Sequence, residues 1–265
     1  MRRKLKLDNI AISNLPYINN IFGINNIINS IKVKHIELFI EPLDEEYHKD
    51  TIELLDILTE LNYNISIHCP FRMVNLVYGD NSEEWKKTLW SFKEAIDIAE
   101  KYNASFIVLH TNEAIEGIEG EKELSKKHLR EIVDYSLSKG VKPLIENVGI
   151  NSNNLFSEEE FISLCINEFP DCNVLIDIGH AIINKWNLEK VLCTLGSKIE
   201  AFHIHNNNGK EDEHKPISEG ILDYDEFYQL RNRYSSNSKI ILEYGIGFDK
   251  ELEEDYEEAV VCRKL

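Results

Sequence analysis

The sequence predicts an α/β chain folded as a single (β/α)8 barrel over residues 1–265. Three observations predict it. Eight short runs rich in Ile, Val, Leu and Phe alternate along the chain with longer segments of helical period. The length of 265 residues suits one such barrel, and no Pro/Gly/Ser linker or low-complexity block divides it. An open doubly wound sheet would usually carry a glycine-rich phosphate loop, and the sequence has neither a GxGxxG nor a Walker pattern.

The strand candidates are Ile10–Ser13, His35–Ile40, Asn64–His68, Phe106–His110, Lys142–Glu146, Val174–Asp177, Ile199–His205 and Lys239–Glu243. Continuous apolar runs of this kind suit parallel strands covered on both faces. Ser82 caps a helix predicted from Glu83 towards Tyr102, with Trp85, Leu89, Phe92, Ile96 and Ala99 on one face. Lys122–Ser138 is a further amphipathic helix, closed by Gly140. Ser157 and Glu160 form a capping-box pattern ahead of Phe161, Leu164 and Cys165.

Forty-seven acids against 29 bases give a formal charge of -18. That balance disfavours a general nucleic-acid surface, which needs basic patches to neutralise phosphates. The acidic run from Glu251 to Glu258 reads as a solvated helix face. No apolar stretch approaches the roughly 20 residues that span a bilayer. No signal-peptide core follows Met1-Arg2-Arg3-Lys4, so the expectation is a soluble cytoplasmic protein with no membrane partner. The five cysteines (Cys69, Cys165, Cys172, Cys193, Cys262) are odd in number and lack CxxC spacing, which reads as reduced thiols. Cys69 follows His68, but the chemistry of its neighbours needs no thiol nucleophile.

The chemistry lies where the apolar runs end. His68, His110, Glu146, Asp177 with His180, His203 with His205, and Glu243 all stand at such ends. In a (β/α)8 barrel those ends and the loops after them form the catalytic face. Neutral imidazoles and carboxylates are the ligand set for Zn, Mn, Fe or Co. Each residue alone has a plainer reading: a hydrogen-bonded histidine, a helix-capping acid, or, for Asp177, a turn residue before Gly179. Together they would repel one another and suffer desolvation unless a cation joined them. Asp212 and His214 add a D-x-H pair in the loop after the seventh run. His203 and His205 lie on the same side of their strand, and His205 is the weaker ligand of the two. His35, His48 and His128 are given no role.

Three pieces are more specific: Ile145-Glu146-Asn147, Ile176-Asp177-Ile178-Gly179-His180, and the segment from His203 to Gly220 with its Asp-x-His and Glu-Gly ending. With them, from Ile36-Glu37-Leu38 to Ile241-Leu242-Glu243, the chain resembles the xylose isomerase-like barrels. These include sugar-phosphate isomerases and epimerases and the endonuclease IV group. The resemblance implies a metal held by Glu146, Asp177, His203 and Glu243. It further implies that Glu146 and Glu243 move protons and that His180 touches a substrate oxygen. From the endonuclease group it implies further ions, one at His68 and His110 and one at His180, Asp212 and His214. The cofactor expected is therefore one to three divalent ions of Mn, Zn, Co or Fe.

The leading expectation is a metal-dependent isomerase or epimerase of a sugar, keto-sugar or sugar phosphate. It would work through a metal-stabilised enediolate, with Glu146 and Glu243 as acid and base. A dehydratase is a near variant. His68, Arg72, His205 and Lys215 are the expected substrate contacts. Arg72 and Lys215 would face a phosphate or carboxylate, although solvation is the simpler role for both. The alternative is a multinuclear-zinc phosphodiesterase acting on abasic DNA, which the acidic composition places second. A barrel that binds sugar without turnover ranks third, because every ligand position is filled. The resemblance also admits a homo-oligomer, though the sequence carries no interface signature.

Overall fold

Alternation along each strand sets the architecture. The computed structural model describes residues 9–261, so Met1-Arg2-Arg3-Lys4 and Cys262 lie outside the described residues. Eight parallel strands close into a barrel in chain order. They are β1 Ile10–Ser13, β2 His35–Phe39, β3 Asn64–His68, β4 Ile107–His110, β5 Pro143–Glu146, β6 Asn173–Asp177, β7 Ile199–Ile204 and β8 Lys239–Leu242. Closure is made by β1 against β8, with Ile10 opposite Ile240. The helices are α1 Ile24–Ser30, α2 Glu45–Glu60, α3 Glu83–Lys101, α4 Glu121–Ser138, α5 Glu158–Ser163, α6 Ile178–Ile183, α7 Leu188–Leu195, α8 Tyr224–Tyr234 and α9 Asp249–Val261. Among the described residues no helix is long and apolar enough to cross a membrane.

The expected caps are in place. The Ser82 hydroxyl accepts from Trp85 N–H at 3.0 Å to open α3. Ser157 and Glu160 form a reciprocal capping box on α5. Gly140 takes a φ of 72° just beyond α4, a left-handed turn that suits glycine. Between β6 and β7 the chain makes two short helices, α6 and α7, and Asp177 is the N-cap of the first.

Inside the barrel, Ala11, Val108, Leu144, Leu175, Ala201 and Ile241 belong to one apolar cluster, all fully buried. The register keeps it level: Ala11 lies opposite Ile241, Val108 opposite Leu144 and Leu175 opposite Ala201. Each buried Val, Leu or Ile there contributes roughly 1.5–3 kcal/mol. Two residues further along each strand, the inward position is Ser13, His110, Glu146, Asp177, His203 and Glu243. An apolar floor therefore supports a polar layer one step nearer the C-terminal mouth, where barrels of this class carry their sites.

Candidate metal centre and active site

His203 is the hub of the polar layer. Its Nδ1 lies 3.0 Å from Glu146 Oε1, 3.4 Å from Glu243 Oε2 and 4.0 Å from Asp177 Oδ2. Its Nε2 is 2.7 Å from Glu37 Oε1 on β2. A carboxylate only accepts, so Nε2 carries the hydrogen and, in the neutral ring, Nδ1 offers a lone pair to three acids. The four residues assigned to the central ion thus converge from β5, β6, β7 and the end of β8. Glu146 Oε2 and Glu243 Oε1 are buried without a hydrogen-bond partner.

A second cluster adjoins it. His68 and His110 face each other through Nε2 at 3.1 Å, and Glu146 Oε2 lies 3.6 Å and 3.2 Å from those two nitrogens. His68 Nδ1 donates to the Cys69 carbonyl at 2.9 Å, which leaves its Nε2 as a bare lone pair. His110 Nδ1 is 2.7 Å from Glu113 Oε1.

The third cluster is built by the loop after β7. Asn206 and Lys215 pair backbone to backbone in an antiparallel bridge, which turns Asp212 and His214 back over the barrel. Asp212 Oδ2 lies 3.1 Å from both His180 Nε2 and His214 Nε2. The Nδ1 atoms of these two rings donate to the carbonyls of Asn147 and Glu243, at 3.0 Å and 2.9 Å. Both Nε2 lone pairs therefore face a carboxylate, an arrangement that calls for a cation or for protons.

His205 Nε2 is 3.1 Å from Asp177 Oδ2 and 3.7 Å from Asp212 Oδ1. Its ring stacks on His214 at 3.9 Å and 21°. Imidazole lone pairs lie in the ring plane, so two nearly parallel rings cannot both aim at one ion. His205 Nε2 instead lies between Asp177 and Asp212, with its ligand atom within 4.8 Å of those of His180, Asp212 and His214, and it does not line the cavity, which departs from the substrate contact expected of it. It sits where Gly179 leaves room: a Cβ there would fall 2.0 Å from His205 Cε1. Gly179→Ala should therefore displace the His205 ring and cost about 1–3 kcal/mol by overpacking, read as a lowered midpoint in urea unfolding.

The electrostatics fit a cation. Burial pushes the Glu243 carboxyl up to about 8, partly opposed by His203 and His214. Burial also works against charge on His203, His180 and His110, yet their carboxylate neighbours hold their protons well above the usual imidazole range. For Glu146, burial is outweighed by His203, His110 and His68, which keep it well below the usual carboxylate range. Burial pulls His68 and His205 below the usual imidazole range, partly opposed by Glu146 and Asp177. Protons thus stand in for positive charge that the side chains themselves do not supply. A divalent ion with mixed nitrogen and oxygen ligands answers the same need.

A cavity of about 280 Å³ opens onto all three clusters, lined by His68, His110, Glu113, Glu146, His180, Asp212, His214 and Glu243. Phe39, Phe71, Leu15, Val148 and Ile150 form its apolar side. Among the described residues no Lys or Arg lines it. Arg72 and Lys215, expected as substrate contacts, are not brought to it. Arg72 is turned to Asp44 at 3.4 Å and Lys215 to Glu213 at 2.7 Å, because acidic neighbours claim both cations first.

Sequence reasoning missed Glu37, Glu113 and the clamp made by Asn147. The Asn147 side chain donates to the Asp177 carbonyl at 2.9 Å and accepts from Asp177 N–H at 2.8 Å, which locks the end of β5 to that of β6. Glu37 had a visible signal: an acid within the apolar run of β2. Cys69 is buried, and burial pushes its thiol up to about 12, which disfavours the thiolate a nucleophile needs.

The family description "Xylose isomerase-like TIM barrel" matches residues 26–262. The chain belongs to this family. Among its relatives is "Uncharacterized protein MJ1614" of Methanocaldococcus jannaschii, 30% identical over 199 residues, covering 74% of this chain and 76% of the relative. Among solved structures, a D-tagatose 3-epimerase-like protein superposes with a TM-score of 0.77 at 22% identity, covering 95% of this chain and 98% of the other. D-psicose 3-epimerase of Clostridium cellulolyticum H10, solved with D-tagatose, also gives 0.77, at 15% identity and 97% and 98% coverage. At these identities the structural likeness establishes the shared fold.

Proposed function

We propose that this protein is a divalent-metal-dependent epimerase or isomerase of a small uncharged sugar, with Glu146 and Glu243 as its acid–base pair. One observation carries the reading. Two buried carboxylates flank His203 Nδ1, at 3.0 Å and 3.4 Å; Glu146 turns its other oxygen to the His68 and His110 rings, Glu243 keeps Oε1 without a hydrogen-bond partner, and among the described residues no lysine or arginine lines the adjoining cavity. An ion held by Glu146, Asp177, His203 and Glu243 supplies Lewis acidity towards a carbonyl oxygen. The rest falls to the chain. Glu146 or Glu243 takes the proton from the carbon beside the carbonyl, and the other carboxyl returns one. Return to the opposite face inverts that carbon, and return to the neighbouring carbon isomerises the sugar. The His180 and His68 rings line the cavity beside the clusters, and Phe39 and Phe71 form part of its apolar side. The similar structures solved as sugar 3-epimerases support the same class.

The second reading, a multinuclear phosphodiesterase, is favoured by the 3.1 Å approach of the His68 and His110 Nε2 atoms and by the Asp212 cluster. One comparison decides between them. Incubated in D2O with manganese, the protein should place deuterium on the carbon next to the carbonyl of free ketoses. Incision of abasic duplex DNA without any exchange would overturn the proposal.

A further inference from the structure

We propose that Glu37 is the positioning residue of the central cluster, its carboxylate fixing which nitrogen of His203 faces the metal. The inference rests on the metal-dependent reading and adds to it a residue outside the ligand set and outside the cavity. Glu37 is fully buried in the middle of β2, among Ile36 and Leu38. Burial strongly disfavours a carboxylate there unless its oxygens are satisfied. Both are: Oε1 takes the His203 Nε2 hydrogen at 2.7 Å, and Oε2 takes the Ser66 hydroxyl at 3.1 Å. With its hydrogen committed to Glu37, Ser66 Oγ accepts from His35 Nε2 at 3.0 Å. The donors therefore converge on Glu37 from both sides, His35 through Ser66 on one oxygen and His203 on the other, and each hydrogen is placed by its acceptor.

The consequence falls on His203. Its Nε2 is capped by an acceptor-only group, so the nitrogen left for coordination is Nδ1, the one facing Glu146, Glu243 and Asp177. A carboxylate behind the ring also makes Nδ1 a stronger donor than a carbonyl would. Among the five histidines of the three clusters only His203 and His110 have a carboxylate behind the coordinating edge; His68, His180 and His214 have carbonyls. Both Glu37 oxygens are spent on Ser66 and His203, so the acid serves a polar contact and not the apolar packing of the strand.

The test is metal affinity rather than turnover. The full chain, freed of metal, is titrated with Co2+ in competition with a fluorescent chelator, and the visible spectrum of the bound cobalt is recorded. Glu37→Gln should weaken the tightest site roughly 10–100-fold and shift the cobalt bands. Ser66→Ala, which leaves the carboxylate but loosens it, should give a smaller loss in the same direction. Asp177→Asn, a direct ligand, serves as the reference. If Glu37→Gln and Ser66→Ala bind cobalt as wild type does while Asp177→Asn does not, Glu37 has no positioning role and the metal site stands. If wild type takes up no cobalt, or Asp177→Asn leaves binding intact, the metal reading fails and the inference fails with it. Should Glu37→Gln not fold, Ser66→Ala alone decides: weakened binding supports the assignment and unchanged binding overturns it.

Discussion

Glu146→Gln will lower turnover of the sugar substrate by about 10³-fold, the scale of losing a positioned acid or base. The amide keeps the shape of the carboxyl but cannot take a proton. Glu146 is also central to the geometry, since His203, His110 and His68 all lie within 3.6 Å of its oxygens. The measurement is therefore kcat together with metal content per chain. Reduced kcat with metal retained assigns the proton transfer to Glu146. Unchanged kcat with metal retained removes it from the mechanism. The same substitution should abolish deuterium exchange at the carbon beside the carbonyl, which separates loss of proton transfer from slow product release.

Removal of divalent metal should produce an effect at least as large. Chelation should abolish turnover and lower the melting temperature. Stabilisation by a bound ligand is RT ln(1 + [L]/Kd), about 4 kcal/mol when metal stands at 1,000 times its dissociation constant. The size of the shift should depend on pH, and the sign follows from the metal-free fold. Burial works against charge on His214, yet Asp212 and Glu243 lift it from 6.5 to about 9, and burial lifts Glu243 from 4.5 to about 8. Groups raised on folding stabilise below their unfolded values and lose that contribution as pH rises through the folded ones. The metal-free protein should thus weaken between about pH 5 and 9. Metal, which competes with those protons, binds better over the same range. The melting-temperature gap between loaded and chelated protein should widen from pH 6.5 to pH 8.5. A gap that narrows would contradict the assignment of Glu243 and His214 to the cation-binding layer.

The barrel was legible because two independent periods agreed. Apolar runs gave the strands, helical spacing gave α3 and α4, and the caps at Ser82 and Ser157 lie where the residue types placed them. The convergence of Glu146, Asp177, His203 and Glu243 was legible for the same reason, since all four end runs that a barrel brings to one mouth. What was not legible depends on partners far away in sequence. Glu37 looks like one acid in a strand until closure of the barrel sets it against His203, 166 residues further on. Arg72 and Lys215 look like anion holders until folding supplies Asp44 and Glu213. His205 and His203 share a strand face, yet only the ring planes show that one aims at the cluster centre and the other stacks behind His214.

Anomalous diffraction from a manganese-soaked crystal tests the central claim most directly. The account predicts a peak within bonding distance of Glu146, Asp177, His203 Nδ1 and Glu243, whatever further peaks lie by His68 and His110 or by His180, Asp212 and His214. A crystal saturated with manganese that shows no density among those four residues, or a His203 ring turned to present Nε2 there, would contradict it.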